Sequence, residues 1–124
     1  MNRVKIYLRS IAQNREQKLS LFDSNGDGGI NELVTIVHAG DLVIWKPDCR
    51  NGIKAITRIY SKKGEGNIFR SEPKKGLFGW VKLRIPRDAK GEEAYGIDYL
   101  TCDGKEISVD PYLKIPPPEE EDDK

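Results

Sequence analysis

The chain has 124 residues, of which 33% are charged and 37% belong to the hydrophobic set. This is the length of one ordinary domain, and the apolar fraction is low but sufficient for a core. Apolar runs fall short of the roughly 18 residues of a membrane span and of a signal-peptide core, so we expect a cytoplasmic protein without membrane contact.

Apolar and polar residues alternate with a period of two along much of the chain, which is typical of strands with one buried face. In chain order, the pattern predicts strands at residues 4–9, 19–21, 33–37, 42–45, 53–60, 78–85, 95–100 and 107–109. Residues 10–18 are a helix candidate, but their weak apolar periodicity favours a loop or a polar strand end. About seven to nine short strands, separated by turn sequences, predict an all-β antiparallel sandwich with little or no helix.

Charge is distributed unevenly along this single predicted domain, which we place at residues 1–116. Residues 54–90 carry eleven Lys and Arg but three acidic residues, whereas residues 91–124 carry eleven acidic residues and three bases. Residues 117–124 combine prolines with consecutive acids, a composition that predicts a disordered acidic tail. We favour a solubilising role for this tail, and an acidic tether that competes with a polyanion for the basic segment is the alternative.

Residues 34–45 read VTIVHAGDLVIW and resemble the V-x-x-G-D-x-V-x-W strand-turn-strand of cupredoxin-like domains. Asn67-Ile68-Phe69 with Pro73 resembles a later segment of that fold, and residues 95–115 resemble the closing strands of uncharacterised bacterial members. The resemblance implies a Greek-key β-sandwich over most of residues 4–115. Copper binding in that family needs two His and one Cys, and this chain has one His. We therefore expect a metal-free version of the fold.

A short acidic motif follows the second predicted strand. Asp23, Asn25 and Asp27 precede Gly28 with the spacing of a calcium loop, in which alternate oxygen ligands converge on one cation. Position twelve of the loop is Val34, where a bidentate Glu is needed, and Glu32 comes two residues too early. We favour a hairpin whose Asp and Asn side chains cap their own backbone, with weak calcium binding as the alternative.

The basic segment alternates with aromatic residues, a combination that binds single-stranded nucleic acid through phosphate contacts and base stacking. A half-buried strand also places charges on its solvated face, and lysines at a sheet edge prevent unwanted pairing. We favour this solvated-face interpretation. The polyanion alternative rests on six candidates, namely Arg58, Lys62, Lys63, Arg70, Lys74 and Lys75.

Few residues of this chain are suited to catalysis. Cys49 and Cys102 are expected to be reduced in the cytoplasm, with Cys102 filling the core from a strand. His38 precedes a turn, where it faces solvent, so a Cys49–His38 catalytic pair is rejected. We expect Trp45 in the core and Trp80 partly exposed.

These observations predict no enzyme and no cofactor. The favoured function is a non-catalytic protein-interaction or structural module, a subunit of a larger assembly with another protein as its partner. The alternative is a ligand-binding module, with weak calcium binding at residues 23–32 or a polyanion such as nucleic acid on residues 54–90.

Overall fold

The computed structural model describes residues 2–13, 15–62, 67–70 and 72–116, so the acidic tail at 117–124 and Lys63 lie outside the described residues. Eleven strands follow one another in this part of the chain. They are β1 (Arg3–Gln13), β2 (Glu16–Asp23), β3 (Gly28–Ile30), β4 (Val34–Ile36), β5 (Leu42–Pro47), β6 (Ile53–Ser61), β7 (Lys74–Lys75), β8 (Val81–Arg84), β9 (Gly91–Thr101), β10 (Glu106–Val109) and β11 (Tyr112–Ile115).

The strands form two sheets packed as a sandwich, which confirms the predicted all-β class. The six-stranded front sheet has the order β3-β2-β1-β5-β8-β7. In the five-stranded back sheet, β10, β9, β11 and β4 are neighbours in that order, and β6 pairs with β9. The described helical segments are two 3₁₀ turns, at Cys49–Asn51 and Leu77–Gly79. The Greek-key connectivity and the cupredoxin-like resemblance stay predictions.

Two strand pairs are parallel, so the prediction of a purely antiparallel sandwich is wrong in this respect. β1 runs parallel to β5, with Ile6 opposite Trp45, and β4 runs parallel to β11, with Leu113 opposite Thr35. Parallel neighbours need a long crossover connection. Here the segment between β1 and β5 supplies this crossover connection, since it passes to the back sheet and forms β4 there.

The predicted number of strands and some of their ends also differ from the structure. β3 and β7 have three residues or fewer, which is too short for an alternation pattern to reveal, whereas β4, also three residues long, lies within the strand predicted at residues 33–37. Residues 10–13 and 16–18 continue β1 and β2 as a paired hairpin, so the prediction of a loop was wrong and that of a polar strand end was right. Charged and amide side chains are tolerated there because these strand ends extend into solvent.

The core lies between the inner faces of the two sheets. Trp45 of the front sheet is fully buried, as predicted, and its indole Nε1 donates a hydrogen bond of 3.1 Å to the Tyr95 hydroxyl of the back sheet. Phe69 packs against both rings, at centroid distances of 6.3 and 5.1 Å. This aromatic cluster joins the sheets directly beneath β5.

A buried carboxylate fixes the segment that carries Phe69. Glu93 on β9 is 4% exposed, and its Oε1 accepts hydrogen bonds from the backbone amides of Ile68 at 2.8 Å and Phe69 at 3.4 Å. Its Oε2 accepts from the Ser61 hydroxyl at 2.6 Å. Glu93 therefore replaces the strand pairing that residues 67–70 lack, and its burial is compensated by these bonds.

Candidate polyanion-binding face

The structure separates the five predicted polyanion ligands that it describes. Arg58 lies 2.7 Å from Glu72, Lys62 lies 2.6 Å from Asp110, and Arg70 lies 2.6 Å from Asp88. The same contacts raise the pKa values of Arg58 and Lys62 through hydrogen bonds to their partner carboxylates. These three cations are therefore already neutralised by surface ion pairs.

The remaining predicted cations belong to a different surface. Lys74 and Lys75 form β7, the edge strand of the front sheet, where Lys74 lies opposite Lys82 and Lys75 opposite Val81. Val81 is buried and Lys82 is exposed, so Lys74 shares the outer face of the sheet with Lys82. Lys74 is consequently the predicted candidate that lies on the cationic surface described next.

Register brings cations from distant parts of the chain into rows across the outer front face, our name for the solvent side of the front sheet. One row, the basic row, runs through Lys5, Ile44, Lys82 and Lys74 on four neighbouring strands. Ile44 is 5% exposed although it lies outside the core cluster, as expected when neighbouring lysine stems lie along the sheet. A parallel row places Leu42 between Arg3 and Arg84. Neither row contains an acidic residue.

A second kind of row, the aromatic row, crosses the same face two residues further along the strands. Tyr7 stacks on Phe22 of β2 with ring centroids 4.8 Å apart and an interplanar angle of 19°. On its other side, Tyr7 lies opposite Lys46 of β5, whose Nζ is 6.0 Å from the Tyr7 ring centre and 3.9 Å from that of Trp80. Phe78 extends the row, 5.9 Å from Trp80.

The outer end of this row is a hairpin loop in an unfavourable conformation. Gly76 donates its backbone N–H to the carbonyl of Trp80 at 2.7 Å, which closes the loop between β7 and β8. Phe78 sits at the tip with φ 63° and ψ 17°, a left-handed conformation that is costly for an aromatic residue. Its side chain is 82% exposed. The prediction that residues 78–85 form one strand is therefore wrong at its start.

Positive charge at the centre of the face is not neutralised by the protein. Burial lowers the pKa of Lys46, and repulsion from the nearby Lys5 lowers it further. Among the described residues, no acidic side chain lies within 4.0 Å of the ammonium groups of Lys5, Lys46 or Lys82. An anion bound here would relieve the repulsion between Lys5 and Lys46.

The predicted calcium ligands differ in burial and in the hydrogen bonds they make within the protein. Asp23 is 4% exposed; its Oδ1 accepts from the backbone amides of Asn25 and Asp27 at 3.0 and 3.1 Å, and its Oδ2 accepts from the Thr35 hydroxyl at 2.8 Å. β2 and β3 pair around this turn, which confirms the hairpin and its capping by Asp23. The prediction is wrong for Asn25, whose Nδ2 donates to the carbonyl of Ile36 at 2.9 Å instead of capping the turn. Asp27 and Glu32 are exposed and line an open depression. Calcium binding stays a prediction, since Asp23 is buried and its two oxygens already accept three hydrogen bonds within the protein.

The cysteines and the histidine are also placed by the structure. Cys49 and Cys102 are both exposed free thiols, so the prediction of Cys102 as a core residue is wrong, because β9 ends at Thr101 and Cys102 begins the turn. Cys49 follows β5 and His38 precedes it. The strand between them spans about 20 Å, which keeps the two side chains apart. Within the described ranges, no group of three His, Cys, Asp or Glu side chains could hold a metal ion.

The chain matches no protein-family model and no curated protein sequence. None of the helical segments in the described part of the chain is long and apolar enough to cross a membrane.

Sequence reasoning missed Lys5, Tyr7 and Lys46 as members of the site. They lie outside the basic segment at residues 54–90, and strand pairing alone brings them beside Lys82 and Trp80. The alternation of Lys5 and Tyr7 with buried residues of β1 was visible in the sequence. It identified the solvated face of that strand without indicating its neighbours.

Proposed function

We propose that the protein is a non-catalytic binding module that holds a polyanion against its outer front face. The observation that carries the proposal is the acid-free arrangement of cations in register on that face. Arg58 and Arg70 by contrast have acidic partners within 2.7 Å. Further along β1, Arg9 lies 3.8 Å from Asp48, so the proposal concerns the two acid-free rows and Lys46. The difference between the two surfaces supports a role for the front sheet that a generally solvated sandwich does not need.

The spacing of the cations favours an extended anion over a small one. Neighbouring strands lie about 4.8 Å apart, and every second residue along a strand advances about 7 Å. Lys5, Lys82 and Lys74 therefore form a line, and Lys46 lies beside it in the aromatic row. A polymer with regularly spaced charges contacts several of these groups at once and releases its counterions on binding.

The other sequence-based hypotheses have less support from the geometry. A protein partner stays a prediction, and it requires an acidic surface to match the outer front face. Weak calcium binding at residues 23–32 has less support, because Asp23 is buried and three hydrogen bonds already satisfy its carboxylate. The metal-free cupredoxin-like identity remains part of the proposal only as a description of the scaffold.

Salt-dependent binding to heparin, a sulfated polysaccharide, tests the proposal with a probe that carries no bases. The test variant combines Lys5→Gln with Lys82→Gln, and the matched control combines Arg58→Gln with Arg70→Gln. Both remove two exposed or half-buried charges. We expect weaker binding for the test variant and a salt slope smaller by about 0.7–0.9 for each lost contact. Equal losses in the two variants, or no binding by the unaltered protein at low salt, would refute the proposed face.

A further inference from the structure

The aromatic row indicates which class of polyanion would bind, an inference that rests on the proposed function. We infer that the outer front face binds single-stranded nucleic acid, with phosphates along the basic row and bases stacked on the aromatic row. The two rows are neighbours on the same strands, since Lys5 and Tyr7 are two residues apart on β1 and Ile44 and Lys46 on β5. A strand laid along them would present its backbone to one row and its bases to the other.

The strongest evidence for base stacking comes from Phe78. Its ring is 82% exposed at the tip of the β7–β8 loop, in a left-handed backbone conformation that disfavours non-glycine residues. Exposing a large apolar ring and straining its backbone both cost free energy, although the Phe78 ring keeps a contact with Trp80 at 5.9 Å. Strain of this kind is concentrated at ligand-binding sites. A base stacked on Phe78 would cover the ring.

The rest of the aromatic row continues the same surface towards β2. Trp80 is half-buried and lies under the Lys46 ammonium at 3.9 Å, so its ring is held in place from one side. Tyr7 and Phe22 stack on each other at 4.8 Å, and Phe22 remains 39% exposed. Aromatic rings combined with unpaired cations form the platform on which successive bases stack, with little dependence on sequence.

Other polyanions do not account for these rings. A duplex already stacks its bases internally and offers phosphates and groove edges. A sulfated polysaccharide has no bases, and an acidic polypeptide would need carboxylates for the lysines and separate apolar groups for the rings. Single-stranded nucleic acid has both features in every repeating unit.

The test compares four probes on the full chain at low salt: a twelve-residue oligothymidylate, a DNA duplex of equal charge, heparin and polyglutamate. We expect the single strand to bind at least tenfold more tightly than the duplex and to quench tryptophan fluorescence. Trp45 is fully buried, so the quenched signal reports Trp80.

Phe78→Ala separates stacking from charge. We expect it to weaken binding of the single strand by about 5- to 150-fold and to leave heparin binding unchanged, since each stacked base contributes to affinity independently of charge. Tyr112→Ala, which removes a 38% exposed ring from the back sheet, is the matched control and should change neither. Circular dichroism checks that both variants are folded.

Four results would overturn this inference. Equal affinity for duplex and single strand, or an unchanged single-strand affinity in Phe78→Ala, would refute stacking and leave the polyanion proposal standing. Tighter binding of polyglutamate than of the oligonucleotide would assign the face to an acidic protein partner. A failure to bind any of the four probes would refute both the inference and the proposed function.

Discussion

The hydrogen bond between Trp45 and Tyr95 connects the two sheets beneath the candidate face, and its contribution to stability can be measured against a built-in control. Tyr95 and Tyr99 are both fully buried on β9. The Tyr95 hydroxyl accepts from the Trp45 indole at 3.1 Å, whereas the Tyr99 hydroxyl has no hydrogen-bond partner among the described residues. Replacing each by Phe removes one oxygen from almost the same environment.

The expected effects differ in sign. Tyr95→Phe leaves the buried Trp45 N–H unsatisfied, which costs about 1–3 kcal/mol of the free energy of unfolding. For a chain of this length, each kcal/mol corresponds to a change of about 4 °C in Tm. Tyr99→Phe removes a hydroxyl whose desolvation is uncompensated, so we expect no loss and a gain of up to about 1 kcal/mol.

Urea unfolding followed by circular dichroism gives both free energies, with equal m-values showing that the two-state comparison is valid. The reasoning would be refuted by a loss in Tyr99→Phe that equals the loss in Tyr95→Phe. A Tyr95→Phe variant as stable as the unaltered protein would show that the bond between the sheets contributes nothing.

Three further predictions concern stability. Phe78→Gly should raise the free energy of unfolding by up to about 1 kcal/mol in urea unfolding, because the left-handed strain it removes exceeds the added chain entropy; a clear loss would contradict the strain. Glu93→Gln should cost about 1–3 kcal/mol in the same assay, since an amide cannot accept all three hydrogen bonds, and an unchanged midpoint would contradict its anchoring role. Burial raises the pKa of Tyr95 and of Tyr99 above the usual value of 10.0. The unfolded chain therefore loses these protons first, so stability should fall as pH rises past 10, and less steeply in the double Phe variant.

Local pattern was sufficient to predict most of the strands and the core residue Trp45, because alternation along one strand reports which face is buried. It could not predict the pairing of β1 with β5 or of β4 with β11. Parallel neighbours are specified by contacts between distant segments, and a strand reads the same in either direction. The very short β3, β4 and β7 exist because longer neighbours offer them pairing partners.

The candidate site also depends on contacts between distant segments, which the sequence pattern could not predict. The basic segment at residues 54–90 contains charges that are close together in sequence, yet Arg58 and Lys62 form ion pairs with Glu72 and Asp110. A sheet surface is assembled across strands. Lys5 and Lys82 therefore share one row although most of the chain separates them, and only the register reveals it.

The parallel pairing of β4 with β11 has a consequence for how the chain folds. β4 is the terminal strand of the back sheet, and its partner β11 is the last strand in the described part of the chain. β4 can therefore pair only after β11 has been positioned. Closing the long loop between β4 and β11 costs conformational entropy before the contacts between the two strands compensate for it. We therefore expect slow, concerted folding in which β4 and β11 pair late. Removing β11 should prevent folding of the whole molecule and not only remove one edge strand.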